Sequence, residues 1–444
     1  MITGAITLST KMWANCRFMK RTAQALRFAA ACILAVSSMT AWAQPVPNAS
    51  RAPRAGPDVV IKTVDTEALV GRLISFSLED GLVFDQTLGT GRTYIKPNDV
   101  VRISTPAIAA ESGLFGAGRA APNARIVRMT LIGGDRLVGI AGRFLDEQIE
   151  FTIPSVTTLT VPLQRIATWL NAQSGESQWR SAVEALTAQQ TTTSDLVLLN
   201  NGDVVRGIIT QVDQDGFTLD TSLGPSRIPQ DRVVAAAFVP APLAERDRIS
   251  AQVHFANGTR LTAHALRWTP GPRGLLVARI LDGIEREIPV DRVTHIDIIG
   301  GRWRWLTELD PDSVEQTPML SLHWPYKENR NVLGGMLQVG GQKFERGIGV
   351  HSRSVLTYSL KRNYRQFTTS YGIDDDSGPY ADVRVEIRLD GRPVHQLDSI
   401  RLGQCHGPFH FNVNGVDRLE LIVDFGRHGA IQDRFDWIEP ALVR

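Results

Sequence analysis

Apolar and polar side chains alternate with a period of two wherever the chain shows a pattern. Val383, Val385, Ile387 and Leu389 alternate with Arg384, Glu386 and Arg388 before a turn at Asp390-Gly391. Leu419, Leu421, Val423 and Phe425 repeat the pattern, and Phe409, Phe411 and Val413 make a third run. Each run predicts a strand with one buried face, and regular strands closed by turns point to a β-sandwich.

Upstream, shorter runs recur as a set. In the clearest copy, Asp195-Leu-Val-Leu-Leu meets the turn Asn200-Asn201-Gly202-Asp203, and Val204 to Ile209 follow. A second turn, Asp213-Gln214-Asp215-Gly216, leads to Phe217-Thr-Leu-Asp-Thr and then Ile228-Pro229-Gln230-Asp231-Arg232-Val233. Related stretches centre on Leu69–Leu73 with Ile95–Val100, Gly133–Gly139 with Val161–Ile166, and Asn257–Leu261 with Ile288–Val293. Their prolines, Pro97, Pro162, Pro229 and Pro289, lie 60 to 67 residues apart, a spacing expected of internal duplication. Asn-Gly and Asp-Gly between β-favouring runs are hairpin signals, so each stretch predicts a small antiparallel meander. Closing such a sheet into a barrel removes its edges, and the pattern resembles SH3-like or Sm-like small barrels.

The layout this implies is a signal peptide at 1–43, a linker at 44–57, and small β repeats at 58–104, 124–170, 195–240 and 248–300. A linker with one short helix, Ser177 to Thr187, occupies 171–194. Trp179, Val183 and Leu186 fall at helical spacing on that helix, so one face is expected to dock on a neighbour. A sandwich fills 303–444. The fold class is all-β.

Charge changes the picture at the amino-terminal end. Lys11, Arg17, Lys20, Arg21 and Arg27 precede the apolar run Phe28–Val36, and Ala41-Trp42-Ala43 offers an A-x-A cleavage site before Gln44. The run is too short to span a bilayer, so export with cleavage is expected rather than a transmembrane anchor. Removing the leader turns the formal charge of +2 into −3. That balance disfavours a nucleic-acid partner, which requires a basic face. Only three cysteines are present, and cleavage would leave Cys405 alone, expected to pack as a small hydrophobe.

The C-terminal third carries a recognisable series. Leu337-Gln-Val-Gly340-Gly341-Gln-Lys-Phe344-Glu-Arg-Gly347-Ile-Gly349-Val-His351-Ser352 is followed by Gly372-Ile-Asp374-Asp375, by Val385 to Gly391 and by Asp433-Arg-Phe-Asp436-Trp437. Together these resemble the NPCBM domain, a carbohydrate-binding module found on some glycoside hydrolases and many exported bacterial proteins. The resemblance implies a galactose-binding-like jelly roll and a glycan partner. His351 is placed either on a sugar hydroxyl or in a structural hydrogen bond, and Trp437 either under a pyranose or in the core. Tyr371 and Tyr380, with Trp324 and Tyr326, are aromatic candidates at loop-like positions, and Asp375 is a candidate hydroxyl partner. Asp374 and Asp376 flank it in an acidic turn whose hard oxygens suit Ca²⁺.

A hydrolase would require two carboxylates facing each other across a bond, but this acidic cluster sits on one turn. The sequence has no G-x-S-x-G, H-E-x-x-H or G-x-x-x-x-G-K. The expected function is therefore a non-catalytic, exported carbohydrate-binding protein, in the periplasm, at the cell surface or outside the cell, whose repeats space or present the C-terminal module. An envelope scaffold that binds proteins, or an accessory subunit of a glycoside hydrolase, stands as the alternative.

Overall fold

The computed structural model describes residues 57–65, 68–87, 91–105, 126–171, 186, 193–239, 249–269, 275–281, 283–319 and 323–444. The signal peptide expected at 1–43 lies outside the described residues, as does the expected helix apart from Leu186. That one residue is helical and buried against Leu170, Leu196, Ala235 and Ala237. All other regular structure among the described residues is β-strand or short 3-10 turn.

The chain from 58 to 299 builds one 21-stranded antiparallel sheet from a recurring scheme of pairing. In the first instance Asp58–Thr63 pairs with Leu69–Ser77, which pairs with Gly81–Gln86, which pairs with Arg92–Ile95. After the 3-10 turn Pro97–Asp99, Val100–Ser104 returns to pair with the first strand. The same links join the strands of 126–171 and of 195–237. In 250–299 the long second strand is split into Arg260–Ala263 and Ala265–Thr269.

A glycine in that second strand makes the sharp bend possible. A Cβ at Gly71, Gly139 or Gly207 would meet the carbonyl oxygen of Asp85, Thr152 or Asp220 on the paired strand. Only a residue without a side chain allows so close an approach. The units join edge to edge through their last strands: Val100–Ser104 pairs with Val293–Ile299, and Ile166–Asn171 with Val233–Ala237. Their interiors merge into one apolar core in which Trp169 meets Phe217 edge-on at 5.4 Å.

Residues 303–443 form two antiparallel sheets packed face to face. One orders Lys327–Glu328, Gly347–His351, Arg434–Val443, Gln366–Ile373 and His406–Asn412. The other orders Ser313–Gln316, Ser354–Ser359, Arg418–Phe425, Val383–Leu389 and Arg392–Ile400. Val383, Val385, Ile387 and Leu389 point inward with Leu419, Leu421 and Val423, as the alternation requires. Phe409 and Phe411 only lean on the core, because their strand is the exposed edge of its sheet.

Two residues given possible surface roles belong to this core instead. Trp437 and Tyr371 are fully buried, 5.5 Å apart and edge-to-face, with Phe435 beside both. Tyr371 sits on the strand Gln366–Ile373 rather than a loop, with its hydroxyl 2.6 Å from His395 Nε2. Neither ring can stack on a sugar without unfolding the sandwich. Cys405 departs from its expected packing role in the other direction: it is exposed, just ahead of the edge strand His406–Asn412. Partial burial and Glu439 raise its thiol pKa, which slows reaction without preventing it. A thiol reagent should therefore modify the native protein at Cys405, and complete native protection would contradict this placement.

Candidate functional site

At one end of the sandwich the strands Gly347–His351 and Arg434–Val443 run out beside the loop carrying Trp324. They leave a cleft of about 250 Å³. Its wall includes Trp324, His351, Ser352, Gln432 and Arg434, and its rim the exposed apolar side chains of Met319 and Ile431. Trp324 lies parallel to the His351 ring, centroids 5.6 Å apart and 12° between planes. An apolar platform beside a few fixed polar groups is the composition expected of a small-ligand site.

Each polar group has a cause for its position. His351 Nδ1 is 3.0 Å from the Ser352 carbonyl oxygen. That oxygen only accepts, so Nδ1 carries the proton and Nε2 is left as an acceptor. Burial lowers the ring's pKa, which keeps it neutral at neutral pH. Arg434 Nη1 donates to the Asp376 carbonyl oxygen, and Ser377 Oγ donates to the Arg434 carbonyl oxygen at 3.2 Å. The acidic turn thus holds Arg434 from behind. Beneath the floor, Ser352 Oγ donates to Asp433 Oδ2 at 2.7 Å and Asp382 N to Oδ1 at 3.1 Å. Burial still pushes the Asp433 carboxyl up to about 6.

Tyr380 stands just outside the cleft. It is 59% exposed, its amide donates to Gln432 Oε1 at 3.3 Å, and its ring meets His428 edge-on at 5.9 Å. Of the residues singled out in the sequence, the structure brings His351, Trp324 and Tyr380 to this end of the sandwich.

The Asp374–Asp376 turn has a different character from the one expected. Asp375 accepts from Gly340 N at 2.9 Å and Gly341 N at 2.7 Å, so it pins a neighbouring hairpin turn. Asn331 Nδ2 sits between Asp374 Oδ1 at 3.1 Å and Asp376 Oδ2 at 3.0 Å. Its orientation is fixed, because Asn331 Oδ1 accepts from Gly335 N at 2.6 Å. The amide therefore fills the place a Ca²⁺ bridging Asp374 and Asp376 would take. Asp374 itself is fully buried next to Asp436, whose two oxygens have no hydrogen-bond partner among protein atoms. Burial and the neighbouring Asp374 hold the Asp436 carboxyl well above the usual range.

Arg434, Gln432, Met319 and Ile431 escaped attention in the sequence. Arg434 alone had a signal, since it lies within the quoted Asp433-Arg-Phe-Asp436-Trp437 series. The other three are unmarked loop residues that only the fold gathers.

Comparison with known proteins agrees with this architecture. The family model of the NPCBM/NEW2 domain matches residues 302–443. No curated protein matches the chain. Among solved structures, a CBM51 module of Clostridium perfringens GH95 in complex with methyl-galactose is 23% identical. The match covers 32% of this chain and 99% of that one, with a TM-score of 0.29. CBM51-2 with the INT domains of Clostridium perfringens ZmpB, in complex with GlcNAc, is 20% identical over 40% of this chain and 37% of that one, TM-score 0.29. The tandem CBM51 modules of a Streptococcus pneumoniae family 98 glycoside hydrolase are 11% identical, covering 87% and 88% of the two chains, TM-score 0.29. The last third of this chain, residues 302–443, thus carries an NPCBM/NEW2 domain.

Proposed function

We propose that the protein is an exported, non-catalytic glycan-binding protein whose sugar site is the cleft between Trp324, His351 and Arg434. The observation that carries this reading is the pairing of an aromatic platform with groups of opposite hydrogen-bond sense. His351 Nε2 accepts from a sugar hydroxyl, the Arg434 guanidinium donates to a sugar oxygen, and the ring face packs on Trp324. Tyr380 extends the surface on the Gln432 side for a second residue of a longer glycan. The repeating units upstream act as a spacer that carries the module away from whatever the chain attaches to.

The nearby carboxyl groups do not make a hydrolytic pair. Asp433 and Asp382 lie beneath the cleft floor; the Asp433 oxygens accept from Ser352 and the Asp382 amide, and Asp382 Oδ2 accepts from Arg401. The site therefore holds a sugar without a group placed to attack it.

A glycan array probed with the mature full-length chain, followed by calorimetry on the best ligand, tests the reading. Trp324→Ala should weaken binding at least tenfold and Tyr380→Ala several-fold, each with an unchanged unfolding midpoint. Binding that survives Trp324→Ala at full strength would move the site elsewhere on the sandwich. A chain that binds no glycan while capturing a defined envelope protein would favour the scaffold reading.

A further inference from the structure

The strands Ser250–Phe255 and Val293–Ile299 pair so that His254 lies directly opposite His295 and Gln252 opposite Asp297. All four side chains share one face, and that face meets Glu345 and Arg346 of the sandwich. We propose that His254, His295, Asp297 and Glu345 hold a divalent transition-metal ion of the zinc class, clamping the sandwich to the sheet that precedes it.

Thr294 Oγ1 is 3.1 Å from the His254 carbonyl oxygen, to which it donates, and 3.2 Å from His295 Nδ1, from which it then accepts. His295 Nδ1 is held by Thr294, and its Nε2 points toward Glu345 Oε2, 3.3 Å away. The same carboxylate oxygen lies 3.7 Å from His254 Nδ1, while His254 Nε2 lies 3.5 Å from Asp297 Oδ2. Both Nε2 atoms are buried without a hydrogen-bond partner. Two imidazoles and two carboxylates thus converge on one face with both Nε2 atoms unpartnered, and a cation between them would give those nitrogens a partner.

The ligand chemistry matches. Neutral imidazole and carboxylate are the nitrogen and oxygen donors that Zn²⁺ takes in tetrahedral sites. One donor atom each from His254, His295 and Asp297 lies within 4.8 Å of the others. A tetrahedral ion needs roughly 3.3 Å between donors, so the stacked rings, 3.9 Å apart, must swivel by about an ångström on binding. Outer partners are already in place: Arg102 holds Asp297 through Nε at 2.6 Å and Nη2 at 3.1 Å, and Thr294 fixes the His295 tautomer. Arg346, 3.7 Å from Asp297, and Arg102 oppose the ion's charge, which two carboxylates and two neutral rings must outweigh.

Chelator-treated full-length protein should take up one equivalent of Zn²⁺ in titration calorimetry and unfold several degrees higher with zinc than without. His295→Ala should weaken that binding at least tenfold. So should Glu345→Gln, whose side chain is more than half exposed and whose replacement leaves the core intact. Zinc that produces no heat and no shift in midpoint would overturn the proposal. So would uptake undiminished in both variants, which marks adventitious binding. A midpoint that ignores zinc yet rises on acidification to pH 5.5, and no longer does so in His295→Ala, would show a proton in the ion's place and overturn it equally.

Discussion

Trp437→Ala should destabilise the C-terminal sandwich by about 3–5 kcal/mol, the usual cost of removing a large buried aromatic side chain. The indole is fully buried, packs edge-on against Phe435 at 5.2 Å and Tyr371 at 5.5 Å, and belongs to the central strand of its sheet. Its Nε1 has no hydrogen-bond partner, so Trp437→Phe loses volume but no polar contact and should cost less than half as much. Tyr371→Phe should cost about 1 kcal/mol through loss of the hydroxyl contact to His395. Denaturant unfolding of the three variants checks the order. The same series separates packing from recognition, because Trp437→Phe keeps the cleft and should bind glycan as the unsubstituted protein does. A Trp437→Ala protein of full stability that had lost only its glycan would return the indole to the surface.

The strand pattern could be read from the sequence because a half-buried sheet writes its burial directly into a period of two. Val383 to Leu389 and Leu419 to Val423 face inward as the alternation requires. The aromatic candidates were harder for the same reason. Tyr371 and Trp437 are inward positions of strands buried on both sides, where Gly372, Asp436 and Ile438 are buried as well, so alternation does not reveal which face holds the core. A tyrosine beside an acidic turn looks like a loop residue in one dimension.

The surroundings of the acidic turn were not legible because composition counts oxygens and not hydrogens. Three consecutive carboxylates look like a hard-cation site, yet the donors that satisfy them come from far along the chain: Asn331, Gln338, Gly340 and Gly341. The His254–His295 pairing was invisible for a related reason. Neither residue has a metal-site spacing, and only antiparallel register sets them opposite each other.

Asp436→Asn should stabilise the protein, and increasingly so as pH rises. Asp436 and Asp433 both have folded pKa values above the ordinary carboxylate value. Between that ordinary value and the raised one, the folded chain binds a proton that the unfolded chain has released. Their contribution is therefore intact below about pH 4 and declines as pH climbs through the folded pKa. For Asp433, raised to about 6, the loss is on the order of 2–3 kcal/mol across that interval. Asp436 is raised well above the ordinary value too, so its loss has the same sign. An asparagine at 436 carries no charge at any pH and has an NH₂ to offer to Asp374. The pH profile of the unsubstituted protein alone is ambiguous, because His254, His351 and His406 have lowered pKa values and destabilise as pH falls below the free imidazole range. Those terms cancel in the difference between variant and parent. The difference in unfolding free energy, measured by denaturant titration at pH 5 and pH 8, should grow by about 1–3 kcal/mol in favour of Asp436→Asn. A constant difference would mean that Asp436 is ionised in the folded state at both pH values, and a cation rather than a proton would then have to sit beside Asp374.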